Sequence, residues 1–172
     1  MLVYILIFTF ILGGRGAPTF SKDGNYGPMV PLVVNGSNMY YFGLIHTGTA
    51  VQAEAFCRKH NMDLISIETP EEHAFIEESL LNYMDLNDRH DTCVWTSGRR
   101  YDGGNKWIWG ATGNPIHYTN WRAGQPDNQQ KVENCLELTH LVDSGQIKWS
   151  DVPCDYKARY FICEYNNNTL DF

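Results

Sequence analysis

The motif Gly124-Gln125-Pro126-Asp127-Asn128, followed by Glu133-Asn134-Cys135 and later by Trp149-Ser150-Asp151, carries most of the information on fold and function in this chain of 172 residues. The first motif ends a segment, residues 98–130, that is rich in Gly, Asn and Pro. Long irregular connections inside a compact domain are usually functional or disordered. Three tryptophans within this segment indicate order, because such large side chains are normally packed. We therefore expect an ordered polar loop.

Two helices are predicted before this loop. Thr49 is a good N-cap for the first, and Gln52 stands at the capping-box position three residues later. The second helix begins at Thr69-Pro70-Glu71-Glu72, which combines a capping Thr, a Pro in the first turn and a Glu at the third position. Its apolar face continues to about Tyr83. Both helices therefore precede the polar loop along the chain.

Short apolar runs predict the strands of the domain. Runs rich in aromatic and β-branched residues, bounded by polar and Gly-rich turns, are typical of strands. They lie at 38–44, 64–67, 94–97, 106–109, 132–138, 147–149 and 160–164. Helices first and strands afterwards predict an α+β domain.

The two ends of the chain differ in composition from its centre. Residues 1–16 combine an apolar run with small residues at their end, which predicts a secretory signal peptide rather than a membrane span. A buried or amphipathic N-terminal strand is the alternative. We expect residues 17–37 to form an arm or linker, residues 38–165 the domain and residues 166–172 a short tail. The mature protein should then be secreted and extracellular.

Charge and sequons agree with an extracellular protein. Asn35 and Asn167 begin Asn-X-Ser/Thr triplets near the two ends, where glycans would not disturb a core. The formal net charge is −7, and Lys and Arg form no cluster. Such a chain is a poor candidate for binding nucleic acid or for entering an anionic membrane.

Five cysteines occur in the sequence. In an oxidising compartment the default is two disulfides and one remaining thiol. The spacing of the cysteines does not fix which of them are paired.

The order and spacing of these motifs resemble the C-type lectin domain over roughly residues 40–164. Further motifs that carry the resemblance are Trp95-Thr96-Ser97-Gly98, Trp107-Ile108-Trp109-Gly110, Tyr118-Thr119-Asn120-Trp121 and Phe161-Ile162-Cys163-Glu164. The pattern is most similar to the short, secreted, single-domain lectins of insects. The resemblance implies two helices, two small antiparallel sheets and a long loop region.

The resemblance also implies the disulfide pairing, Cys57 with Cys163 and Cys135 with Cys154. In the chain-entropy model a bridge that closes about a hundred residues contributes roughly 4–5 kcal/mol, and one that closes about twenty contributes roughly 3 kcal/mol. Cys93 then remains. It is either a buried thiol that behaves as a small hydrophobe, or it forms an intermolecular bridge.

A calcium site is the main functional implication of the resemblance. Calcium takes six to eight hard oxygen ligands, several of them anionic. The implied ligands, which would also contact the sugar, are Gln125, Asp127, Glu133, Ser150 and Asp151. In this family the proline that corresponds to Pro126 follows a cis peptide bond when the ion is bound. Two neighbouring sugar hydroxyls complete the coordination shell.

The order Gln125-Pro126-Asp127 resembles the galactose-type variant of this site, whereas mannose-type members carry Glu-Pro-Asn. Exchanging amide and carboxylate exchanges hydrogen-bond donors and acceptors across the site. Two features depart from the family pattern. Ser150 stands where most sugar-binding members have Asn, and residues 128–132 contain no aromatic side chain. Some family members have an auxiliary calcium site formed by acidic residues. The corresponding positions here are not acidic: they are Asn128, Asn134 and residues near Arg100 and Gly104.

Each motif also has a simpler interpretation, and two other functions compete with a lectin. Pro, Asp and Asn alone are common in surface turns. A glycosidase would use two carboxylates with separated pKa values, which Asp127, Glu133 and Asp151 could supply, but no hydrolase motif accompanies them. A lectin-like domain with a decayed sugar site could instead bind proteins, as a dimer linked through Cys93.

We therefore expect a secreted, calcium-dependent lectin, not an enzyme. Its partners would be galactose-type or related glycans on microbial or host surfaces, in innate immunity. Weak sugar sites usually depend on multivalency, so a homo-oligomer is expected.

Overall fold

The computed structural model describes residues 30–35, 38–83, 93–101 and 103–166. Over these ranges the elements, in chain order, are β1 (Val30–Asn35), β2 (Asn38–Gly48), α1 (Ala50–Lys59), β3 (Asp63–Leu64), α2 (Pro70–Tyr83), β4 (Cys93–Tyr101), β5 (Lys106–Trp109), a single 3-10 turn (Gln129–Lys131), β6 (Glu133–Leu141), β7 (Gln146–Pro153) and β8 (Ala158–Asn166). The predicted signal peptide, residues 1–16, and the predicted sequon at Asn167 lie outside the described ranges. The same is true of Gly36 and Ser37 in the first sequon.

The strands form one hydrogen-bonded sheet in the order β1-β2-β8-β4-β6-β7, with β3 added to β8 and β5 added to β4. The predicted α+β class is confirmed. Two antiparallel sheets were expected, but a parallel pair joins the two halves, with Val94 opposite Tyr160 and Trp95 opposite Phe161. This pair forms because β4 and β8 both run through the buried centre, where their backbone groups need partners.

The predicted arm, residues 17–37, contains a strand. The apolar residues 30–34 of this segment lie in β1, which pairs antiparallel with β2, and Val34 stands opposite Met39. The predicted strand at 64–67 is shorter than expected. Ile65 nevertheless connects the neighbouring strands, since its N–H donates to the Ile162 carbonyl at 3.0 Å and its carbonyl accepts from the Ser97 N–H at 2.9 Å.

Both predicted helix starts are confirmed, and the first has the full capping box. The Thr49 hydroxyl accepts from the Gln52 N–H at 3.3 Å, and the Gln52 side chain accepts from the Thr49 N–H at 2.9 Å. At α2 the Thr69 hydroxyl accepts from the Glu72 N–H at 3.1 Å, whereas the Glu72 carboxylate accepts from the Glu68 N–H at 2.8 Å. None of the helices in the described part of the chain is long and apolar enough to cross a membrane.

The predicted disulfide pairing is confirmed. Cys57 in α1 is bonded to Cys163 in β8, and Cys135 in β6 is bonded to Cys154 just after β7. Cys93 belongs to neither disulfide and is half-buried at the start of β4. The first bridge ties a helix to the central strand, and the second joins the two strands that carry the acidic motifs.

Tryptophans hold the long loop against the sheet. Trp149 is fully buried, and the rings of Trp109 and Trp121 pack edge-on against it at centroid distances of 5.7 Å. Backbone hydrogen bonds also join the loop to β7. The Arg122 N–H donates to the Trp149 carbonyl at 3.0 Å, and the Trp149 N–H donates to the Asn120 carbonyl at 2.9 Å. The loop that ends in the Gln-Pro-Asp motif is therefore anchored to β7.

Candidate functional site

Three carboxylates converge at the loop end of β6 and β7. Asp127 lies in the long loop, Glu133 is the first residue of β6 and Asp151 lies in β7. One oxygen of each lies within 4.8 Å of the others, and no other group of three possible metal-binding side chains was found among the residues that the structure describes. The antiparallel pairing of β6 with β7 and the loop anchored to Trp149 bring the three together.

Asp151 is the buried centre of this cluster, with 1% of its surface exposed. Its Oδ1 accepts a hydrogen bond from the Asp127 N–H at 3.1 Å, and its Oδ2 accepts one from the Asn128 N–H at 2.8 Å. Hydrogen bonds to a carboxylate are stronger than those between neutral groups. The Asp151 side chain therefore holds the loop backbone on β7.

Glu133 holds the other end of the same loop. Its Oε2 accepts from the Gln129 N–H at 2.7 Å, and its own N–H donates to the Asn128 side-chain oxygen at 3.2 Å. Between them Gln130 and Lys131 adopt φ values of 54° and 62°. Such left-handed conformations are unfavourable for these residue types and cluster at ligand sites. The loop is thus bent tightly so that its carboxylates face one another.

The electrostatics of the cluster favour an added cation. Burial raises the pKa of Glu133, and the negative charges of Asp151 and Asp127 raise it further, whereas the hydrogen bond from the Gln129 N–H lowers it. A raised carboxyl pKa means that the ionised form is disfavoured where it lies. A divalent cation among these oxygens would relieve that repulsion.

Gln125 stands beside the cluster. The peptide bond between Gln125 and Pro126 is cis, as the resemblance implied. The Gln125 side-chain oxygen accepts from the Asp127 N–H at 3.3 Å. Asp127 itself is exposed, so its carboxylate is accessible from solvent.

Ser150 takes a different position from the other predicted ligands. Its side chain is buried, with 2% exposed, and its hydroxyl donates to the Asp151 backbone carbonyl at 3.4 Å. The hydroxyl is therefore engaged with a backbone oxygen next to the cluster. Its role as a ligand stays a prediction.

A positive charge also lies in the cluster. The Arg100 guanidinium forms an ion pair with the Asp151 carboxylate at 2.5 Å, with 1% and 0% of the two side chains exposed. Its Nε donates to the Glu133 carbonyl at 3.0 Å. Arg100 thus contacts the residues that carry two of the three carboxylates.

A family profile described as "Lectin C-type domain" matches residues 47–165. The chain belongs to the C-type lectin family. Perlucin from Haliotis laevigata is 32% identical over 130 residues, which are 76% of this chain and 77% of perlucin. A protein named C-type lectin mannose-binding isoform from Oxyuranus scutellatus is 35% identical over 115 residues, 65% of this chain and 67% of that protein.

Solved structures agree with the family match. The carbohydrate-recognition domain of the mouse scavenger receptor C-type lectin superposes with a TM-score of 0.62 and 26% identity, over 78% of this chain and 94% of that domain. The predicted family is therefore confirmed. The narrower similarity to insect lectins and the galactose-type assignment stay predictions.

The sequence did not predict that Arg100 belongs to the site of this C-type lectin. The motifs placed it only as a non-acidic residue near the positions of an auxiliary calcium site. The signal was a basic residue near a position where the family pattern implied an acidic one. Because Arg100 and Asp151 are 51 positions apart, no local pattern could pair them.

Proposed function

We propose that this C-type lectin is a secreted protein that binds one calcium ion and, through the ion, a galactose-type glycan. Gln125, Asp127, Glu133, Ser150 and Asp151 would supply the ligands and the sugar contacts. The observation that carries the proposal is the convergence of three carboxylates from a loop and two strands within 4.8 Å. Family membership adds carbohydrate recognition as the activity for which such a site is used.

The donor set fits calcium rather than a transition metal. Its side-chain donors are carboxylate, amide and hydroxyl oxygens, which hard cations prefer, whereas zinc and copper sites in proteins are usually built with His or Cys. Each carboxylate oxygen has two acceptor positions. Asp151 Oδ2 uses both, for Asn128 and Arg100, whereas Asp151 Oδ1 and Glu133 Oε2 each accept one backbone N–H and have capacity left for a metal. Bound calcium would supply positive charge and open coordination positions for two sugar hydroxyls.

The residues of the chain would do the remaining work. Asp127, which is exposed, can accept a hydrogen bond from a sugar hydroxyl, while the Gln125 amide offers donors. This arrangement supports a galactose preference, in contrast to the relative whose name states mannose binding. The proposal includes an extracellular location, a role in innate immunity, no catalytic activity and self-association for multivalent binding.

Affinity chromatography tests this proposal. The oxidised protein is applied to immobilised galactose with calcium, and elution is attempted with chelator, free galactose and free mannose. We expect elution by chelator and galactose, and no retention of Asp127→Ala. Asp143→Ala, which removes an exposed carboxylate from a distant turn, is the matched control and should be retained. Elution by mannose alone would contradict the galactose preference.

A second candidate function is a protein-binding domain with a decayed calcium site. The observation that favours it is the buried Arg100, which already neutralises Asp151. A decayed site predicts no increase in melting temperature with calcium and no retention on any sugar. If Cys93 links two chains, a non-reducing gel would show a dimer that a reducing gel does not.

A further inference from the structure

We propose that Arg100 acts as a built-in cation that keeps the Gln-Pro-Asp loop closed without metal, so that the site is organised before an ion arrives. The inference rests on the proposed function for the identity of the ion, but not for the order of the loop. Arg100 would have a positioning role, because its guanidinium would influence the bound ion only through Asp151.

The guanidinium contacts four oxygen acceptors on three segments of the chain. Nη2 contacts the Asp151 carboxylate, Nε donates to the Glu133 carbonyl at 3.0 Å, and Nη1 donates to the Gly104 carbonyl at 3.1 Å. Nη1 also lies 3.5 Å from the Asn105 side-chain oxygen. The planar fork of Arg suits such a spread of acceptors, whereas the compact ammonium of Lys does not.

An aromatic ring covers the guanidinium. The central carbon of the Arg100 side chain lies 4.7 Å from the centroid of the Trp107 ring. A cation over the face of an indole is attracted by the ring, more so where water is excluded. The guanidinium is therefore fixed by β5 as well as by β6 and β7, and it cannot leave without exposing a packed tryptophan.

Asp151 transmits this constraint to the loop. One end of its carboxylate holds the guanidinium, and its two oxygens accept the N–H groups of Asp127 and Asn128. If Arg100 were absent, Asp151 would be a buried and uncompensated charge beside Glu133. Such a charge is strongly destabilising, and the carboxylate would be expected to move towards water. That movement would weaken the two hydrogen bonds that hold the loop.

The formal charges of the cluster match one divalent cation. Three carboxylates and one guanidinium leave a formal charge of minus two, which one divalent cation neutralises. The acceptors used by Nε and Nη1 are two carbonyl oxygens and an amide oxygen, which are calcium-type ligands. Because the guanidinium uses them, no second ion is expected there. One calcium per chain follows.

Amide hydrogen exchange in chelator tests the inference on the oxidised full chain. In the wild-type protein we expect the amides of residues 127–129 to be protected without calcium, because they are bonded to Asp151 and Glu133. In Arg100→Gln we expect their exchange to be about tenfold faster or more, and calcium to restore protection. Arg100→Lys should fall between the two. Arg58→Gln, which removes an Arg with a 58% exposed side chain, is the matched control and should exchange like wild type.

The inference would be overturned if, in the wild-type protein with chelator, the amides of residues 127–129 exchanged as fast as those of an unstructured peptide. This measurement does not require any variant to fold. Equal protection in Arg100→Gln and wild type would also overturn it. Calorimetric titration of the wild type should give one calcium per chain, and two would overturn the account of the charges. Protection that depends on Arg100 in a protein that binds no calcium would support the positioning role and refute the proposed function.

Discussion

Two groups of carboxylates in the described part of the chain differ in how their mutual repulsion is reduced. At the loop end, Asp127, Glu133 and Asp151 face one another, and the buried Arg100 guanidinium pairs with Asp151. Between α2, β2 and β8, Glu72 and Glu164 are held by neutral donors. The Tyr40 hydroxyl donates to Glu72 at 2.6 Å, and the Asn38 amide donates to Glu164 at 3.0 Å.

Each group contains a carboxyl whose pKa is raised, Glu133 at the loop end and Glu164 in the second group. Burial, and to a smaller extent the charge of Glu72, raises the pKa of Glu164 to about 7. Without a cation in contact, this carboxyl therefore binds a proton readily. At the loop end, protonation would instead remove a calcium ligand. The comparison teaches that a protein can stabilise buried carboxylates with protons where they are structural and with cations where they are to bind a ligand.

Breaking the ion pair at the loop end should have the largest effect. Asp151→Ala leaves Arg100 buried without its carboxylate and frees the loop amides, so we expect a loss of about 3–5 kcal/mol in the free energy of unfolding in chelator. Urea unfolding measures it. Asp143→Ala, an exposed acid, should change stability by less than about 0.5 kcal/mol. A similarly small change for Asp151→Ala would mean that the ion pair between Arg100 and Asp151 does not contribute to the free energy of unfolding.

The pH dependence of stability tests the structural group of carboxylates. Because the folded pKa of Glu164 is raised from 4.5 to about 7, its contribution to stability is complete below pH 4.5 and is lost as pH rises through 7. Burial also raises the pKa of Glu137 to about 7, so Glu137 contributes to the loss of stability over the same pH range. We expect the wild type in chelator to lose stability across this range.

Glu164→Gln should reduce this loss by an amount on the order of 2–3 kcal/mol, and the share of Glu137 should remain. Thermal unfolding at several pH values measures it. If the stability of Glu164→Gln depended on pH in the same way as that of the wild type, a group other than Glu164 would be responsible for the loss of stability.

Glu133→Gln separates calcium binding from folding. The amide oxygen can still accept from the Gln129 N–H, while one negative charge is removed from a site in which burial, and then repulsion by Asp151 and Asp127, raises the Glu133 pKa. We expect calcium affinity to fall about tenfold or more, which is roughly 1.4 kcal/mol, with stability in chelator unchanged or slightly higher. Calorimetry and urea unfolding measure the two quantities. Unchanged calcium affinity would remove Glu133 from the ligand set.

Tyr40→Phe should have the smallest effect. It deletes the hydroxyl that donates to Glu72, so we expect a loss of about 1 kcal/mol in stability. Calcium affinity should be unchanged, because this hydrogen bond joins β2 to α2 and neither residue belongs to the proposed ligand set. A change in affinity without a change in stability would show that the two groups of carboxylates are coupled.

Sequence patterns predicted the parts of this fold that are set by local chemistry. The capping box at Thr49 and Gln52 is visible within four residues, and the structure has it. The disulfide pairing came from the family pattern and was confirmed. The aromatic residues of the long loop indicated order, and they pack on Trp149.

Features set by distant partners were not predictable in this way. The parallel pairing of β4 with β8 joins strands about 65 positions apart, as Val94 opposite Tyr160 shows, and no local pattern encodes that choice. The strand in residues 30–35 was hidden in a Pro- and Gly-rich segment. The ion pair of Arg100 with Asp151 is the most consequential omission, because the predicted ligand set contained only oxygen donors and no internal cation.

Thermal unfolding with and without calcium, in the wild type and in Asp127→Ala, tests the central claim most directly. Asp127 is exposed, so its loss should leave the fold intact. Calcium at about 100 times its dissociation constant should stabilise the wild type by about 2.7 kcal/mol, a rise of roughly 5–10 °C in melting temperature. Asp127→Ala should show little or no rise. An equal rise in both proteins, or none in the wild type, would contradict a calcium site built from these three carboxylates.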